Sequence, residues 1–160
     1  MDIFEYAMQM EKDGEGYYRE LAGRAENAGL KSILTMLADE EVKHYKALRQ
    51  LKTAEPQMAE TTILTDAKNV FAGMKASGDL SDLDIEQTEL YRKAQDIEKK
   101  SQDFYQAKAD EVEEQYQKQV LLRLAEEEGR HYFLLENIIE FVSRPETWLE
   151  DAEFNHLEEY

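Results

Sequence analysis

Four glutamates and two histidines stand in a duplicated pattern. Glu41-x-x-His44 and Glu128-x-x-His131 each set a carboxylate and an imidazole three residues apart. That is nearly one helical turn, so both groups project from one face. Glu11 precedes Glu41 by 30 residues, and Glu98 precedes Glu128 by 30. A shift of 87 residues superposes the two sets without a gap, laying Leu37–Tyr45 over Leu124–Tyr132 with six of nine positions identical. Asp39/Glu126 and Lys43/Arg130 keep their charge, Tyr17 falls on Phe104, and Tyr18 falls on Tyr105.

Carboxylate oxygen and imidazole nitrogen together suit hard or borderline divalent metals, iron and manganese among them. Two ions at +2 neutralise four carboxylates, and a carboxylate can bridge a pair. Glu41 and His44 lie among Leu34, Leu37, Ala38 and Leu48, on the apolar seam rather than the solvated face. Acids turned inward without a counter-charge would be costly. One Glu from each of two helices, with Glu-x-x-His from each of two others, is the donor set of di-iron and di-manganese carboxylate bundles. Glu11, Glu41, His44, Glu98, Glu128 and His131 are therefore the expected ligands. His156 has no such company and is expected on the surface or in tail packing.

The elements that must position these groups are helical. Apolar residues recur at helical spacing from about Asp2 to Asn27, with Asn27-Ala28-Gly29 expected as the helix end, and again from about Lys31 to Lys52. So short a connection makes an antiparallel pair. Pro56 interrupts the pattern, and residues 54–80 form a long connection with a short helix near Asp66–Ala76 and a turn at Ser77-Gly78-Asp79. A third long helix is expected from a cap at Ser81 or Asp82 to about Val112, and a fourth from about Glu114 to Val142, ended by Pro145. The fold class is all-α: two antiparallel hairpins joined by a long crossover make a four-helix bundle over residues 1–145. Residues 146–160 form a short amphipathic helical tail, with Trp148, Leu149, Phe154 and Leu157 expected to pack on it.

Composition agrees and excludes other classes. There are two prolines, seven glycines and no cysteine among 160 residues, so disulfides, thiolate metal sites and thiol nucleophiles are ruled out. With 42% hydrophobic and 10% aromatic residues the chain can form a core. Lys and Arg number 19 against 36 Asp and Glu, a net charge of −17. Such a surface repels nucleic-acid phosphates and anionic membranes, and cations are the favoured small partners. No apolar run approaches a membrane span, and the N-terminus lacks a basic region followed by an apolar core, so a cytoplasmic location is expected.

Glu11-x6-Tyr18, Glu41-x-x-His44, Glu98-x6-Tyr105 and Glu128-x-x-His131 resemble the rubrerythrin family of ferritin-like proteins, over about residues 2–143. The acidic, Trp-containing tail is similar to that of short rubrerythrin-like chains. The resemblance implies a non-haem pair of iron ions (manganese or a mixed pair being possible) that reacts with hydrogen peroxide or dioxygen, in a homodimer. It also implies that Tyr18 and Tyr105 support the chemistry as phenols hydrogen-bonded to ligand carboxylates. There are two departures. Full-length members carry a cysteine-ligated rubredoxin-like domain, so here a rubredoxin-like electron donor is expected in trans. Members also carry a glutamate one turn after the third-helix ligand, where this chain has Ser101, with Gly14 at the matching position of the first half. The missing carboxylate bears on peroxidase turnover more than on metal binding, and two small residues are expected to leave the site open to a small oxidant. Glu40 and Glu127 either accept a hydrogen bond from the other half's histidine or lie on a solvated face.

Three functions follow as expectations. The first is an oxidoreductase that reduces hydrogen peroxide. The second is a bacterioferritin-like ferroxidase or iron store, against which Val42 stands where a haem-ligating methionine is expected. The third is a non-enzymatic metal-binding bundle.

Overall fold

The computed structural model describes residues 2–56, 58–78, 80–150 and 157. Phe154, His156 and Asp79 lie outside the described residues. Among those described the regular elements are helices: α1 (Ile3–Arg24), α2 (Ala28–Leu51), α3 (Ile63–Ser77), a 3-10 turn (Ile85–Gln87), α4 (Thr88–Ala109), α5 (Gln115–Ser143) and α6 (Pro145–Glu150). α1 packs chiefly on α2 and α4 on α5, giving the two hairpins of a ferritin-like four-helix bundle. The crossover between them carries α3, which packs on α2 and α6. No helix among the described residues is long and apolar enough to cross a membrane.

Two helix ends differ from the sequence reading. Asn27 does not close α1. Its side-chain oxygen accepts from the Leu30 amide at 3.0 Å and so starts α2, while its amide nitrogen donates to the Ser81 carbonyl at 2.9 Å. Asparagine serves either end of a helix, and here the free amides of α2 win it. Gly29 then sits in the first turn of α2, where a Cβ would come within 2.0 Å of the Met74 methyl. α3 lies against that position, so a side chain there would have to displace the flexible end of Met74. Neither Ser81 nor Asp82 caps the third long helix. Asp82 is in a left-handed turn (φ 61°), and Asp84 accepts from the Glu86 amide at 2.9 Å to start the 3-10 turn. α4 therefore begins only at Thr88.

The core is divided. One apolar cluster holds Tyr18, Leu21, Leu34, Leu37, Tyr91, Ala94, Leu134 and Ile138, together with α3 and α6. It includes Trp148, fully buried against Phe71 and Phe141 with ring centroids 4.6 and 5.6 Å away. The other cluster holds Ala7, Leu48, Leu51, Tyr105, Ala109, Leu121 and Leu124. On each long helix an expected ligand position separates the two: Ala7 from Tyr18 by Glu11, Leu37 from Leu48 by Glu41 and His44, Tyr91 from Tyr105 by Glu98, and Leu124 from Leu134 by Glu128 and His131. Burying each leucine contributes about 1.5–3 kcal/mol, so both ends hold the helices together around a polar middle layer.

Candidate metal centre

Glu11, Glu41, Glu98 and Glu128 are 1–4% exposed, and His44 and His131 are fully buried. Their donor atoms form two groups, each with its ligand atoms within 4.8 Å of one another: Glu11, Glu41, His44 and Glu128, and Glu41, Glu98, Glu128 and His131. Glu41 and Glu128 belong to both. They stand where bridging carboxylates would, leaving Glu11 with His44 at one end and Glu98 with His131 at the other. The imidazoles lie nearly parallel, with centroids 5.6 Å apart and planes at 9°. All six sequence-predicted residues are thus brought to one place.

The polar atoms of this layer fit a pair of cations. Buried polar atoms ordinarily have hydrogen-bond partners. Here Glu11 Oε2, Glu98 Oε2 and both ring nitrogens of His131 have none, and all three residues belong to the two donor groups. Two divalent ions would balance the four carboxylates of those groups. The metal-free charges act on one another strongly. Burial, then the charges of Glu11 and Glu98, pushes the Glu41 carboxyl well above the ordinary range. Burial works against protonated His44, yet Glu11 and Glu127 overcome it and raise the imidazole to about 10. Glu11 is held low: burial opposes this, and the adjacent His44 charge prevails.

The tyrosines cross between halves. Tyr18 on α1 donates to Glu98 Oε1 on α4 at 2.5 Å, and Tyr105 on α4 donates to Glu11 Oε1 on α1. Burial, then the neighbouring carboxylates, raises both phenols well above 10, so they stay protonated as donors. Each hairpin therefore orients a carboxylate of the other.

Other positions read differently. A Cβ on Gly14 would lie 3.2 Å from Glu41 Oε2, so its missing side chain makes room for that carboxylate instead of opening the site. Ser101 is buried at 8% exposure. Of the two glutamates preceding Glu41 and Glu128, only Glu127 reaches a histidine, at 2.9 Å from His44 Nε2. A pocket of about 220 Å3 beside Glu11 is lined by Lys12, Val42, Tyr45, Lys46 and Arg49. Sequence reasoning missed it, because its residues lie on two helices and carry no motif.

A family model described as Rubrerythrin matches residues 2–140. No curated protein and no solved structure matches.

Proposed function

This chain belongs to the rubrerythrin family, and on that premise we propose that it is a dinuclear oxidoreductase that reduces hydrogen peroxide with electrons from a separate donor protein. The observation that carries the reading is the pair of four-residue donor groups sharing Glu41 and Glu128. Glu11 with His44, and Glu98 with His131, would each complete one position. Two iron ions held there would supply the two electrons and the Lewis acidity with which hydrogen peroxide and two protons become two waters. Manganese or a mixed pair suits the same donors.

The chain's own groups do the rest. Tyr18 and Tyr105 hold Glu98 and Glu11 by their phenol protons and keep both carboxylates aimed inward. Two apolar clusters keep bulk water away from the layer. The pocket beside Glu11 gives a small neutral oxidant a short approach between α1 and α2. Refilling with electrons falls to a rubredoxin-like partner, and the protein works as a homodimer. The test is stopped-flow oxidation of the anaerobically Fe(II)-loaded protein. Equimolar hydrogen peroxide should oxidise it faster than dioxygen; equal rates would replace the peroxidase reading with a ferroxidase.

A further inference from the structure

The two halves of the bundle differ directly behind one histidine. His44 turns Nδ1 toward Glu128 Oε1 at 3.0 Å and Glu11 Oε1 at 3.4 Å, and Nε2 toward Glu127 Oε1 at 2.9 Å. Glu127 is 1% exposed, and its other oxygen accepts from Arg123 Nε at 3.3 Å, one turn earlier on α5. The 87-residue repeat places Glu40 in the same relation to His131. Glu40 instead turns away, accepting from the Thr61 hydroxyl and pairing with Lys43 at 3.2 Å. Two causes lie in the chain. Thr61 comes from the crossover beside α2, and the matching position in the second half, 87 residues on, is Trp148 in α6. Met36 on α2 stands where α5 has Arg123, so no guanidinium would accompany an inward Glu40. The Nε2 of His131 is left buried without a hydrogen-bond partner.

Both oxygens of Glu127 face donor nitrogens, Oε1 toward His44 Nε2 at 2.9 Å and Oε2 toward Arg123 Nε at 3.3 Å. A carboxylate only accepts, so Nε2 of His44 carries the proton and Nδ1 faces the ligand cluster. Such an outer carboxylate fixes the ring and makes it a stronger donor, an effect of about 10–100-fold in metal affinity.

We propose that Glu127, oriented by Arg123, is a positioning residue that makes the two metal positions unequal. The position built from Glu11, Glu41, His44 and Glu128 takes the first ion and holds it more tightly. The position built from Glu41, Glu98, Glu128 and His131 fills second and releases its ion first. This rests on the dinuclear reading, and the experiment separates the two. Metal-free protein is titrated with Mn(II), followed by calorimetry and by electron paramagnetic resonance, which distinguishes a lone ion from a coupled pair. The wild type should bind two ions in separate steps, with lone-ion signal dominant at one equivalent. Glu127→Leu should weaken the tighter step by about 10–100-fold and bring the steps together. Glu127→Gln, which still accepts from Nε2, and Arg123→Met, which copies α2, should fall between. Glu40→Gln should leave both steps unchanged. Should Glu127→Leu fail to fold by circular dichroism, Glu127→Gln and Arg123→Met carry the comparison. Two equal or cooperative steps in the wild type, or variants that weaken both positions alike, would overturn the proposal. Fewer than two ions bound by the wild type would instead remove the dinuclear reading beneath it.

Discussion

Stripping metal from this protein should lower its thermal stability by a large and calculable amount. Two donor groups share Glu41 and Glu128, so two ions are expected to bind the folded chain and not the unfolded one. A ligand present at about 100 times its Kd contributes about 2.7 kcal/mol, hence about 5 kcal/mol for two. In a chain of this size each kcal/mol moves Tm by about 2–4 °C, which gives about 10–20 °C. The assay is anaerobic thermal unfolding by circular dichroism, comparing chelator-treated protein with protein holding Fe(II) or Mn(II) at that excess. The metal-free form should also respond to pH. Glu41 and His44 both have folded pKa values above their ordinary 4.5 and 6.5, with His44 at about 10. A raised folded pKa contributes stability that is fully present below the unfolded value and lost as pH rises through the folded one. Metal-free Tm should therefore climb as pH falls from about 10 toward about 6.5. Well below that, Glu11 and Glu127 reverse the trend, because their lowered values lose stability as they protonate. A metal-free protein whose Tm equals that of the loaded form and is flat across this range would refute the reasoning. It would mean that the carboxylates are solvated.

Three further changes separate the site from its scaffold. Tyr105→Phe removes a hydrogen bond to the Glu11 carboxylate worth about 1.5–3 kcal/mol; metal content should hold while stopped-flow oxidation slows. Gly14→Ala pushes a methyl group toward Glu41 Oε2. Displacing that side chain from its rotamer should cost about 0.5–1.5 kcal/mol, read as weaker metal binding against a chelating dye. Trp148→Ala empties the contact with Phe71 and Phe141 and should cost about 3–5 kcal/mol in urea unfolding, with the metal count unchanged.

The cluster of four glutamates and two histidines was legible because three features coincide in the sequence: the residue types, the helical spacing and the 87-residue repeat. Periodicity likewise located the four long helices and the crossover helix. The misreadings fall where one residue type serves opposite local ends. Asn27 can close one helix or open the next, and the Ser81–Asp84 run offers several caps, of which only Asp84 starts a turn. Contacts between elements were legible only in kind: phenol-to-carboxylate and glutamate-to-histidine bonds were expected, but not which partners they join. The crossing of Tyr18 to Glu98 and of Tyr105 to Glu11 depends on how the hairpins face each other. Gly14 looked like open space because its neighbour Glu41 lies 27 residues along the chain. The different fates of Glu40 and Glu127 depend on Thr61 in the crossover. The one local signal was Met36 at the position matching Arg123.

The central claim is a site for two metal ions in one bundle, and iron per chain tests it most directly. Protein loaded anaerobically with Fe(II), desalted and measured by elemental analysis should hold two ions per chain, one for each donor group. One ion or fewer after full loading would contradict the account.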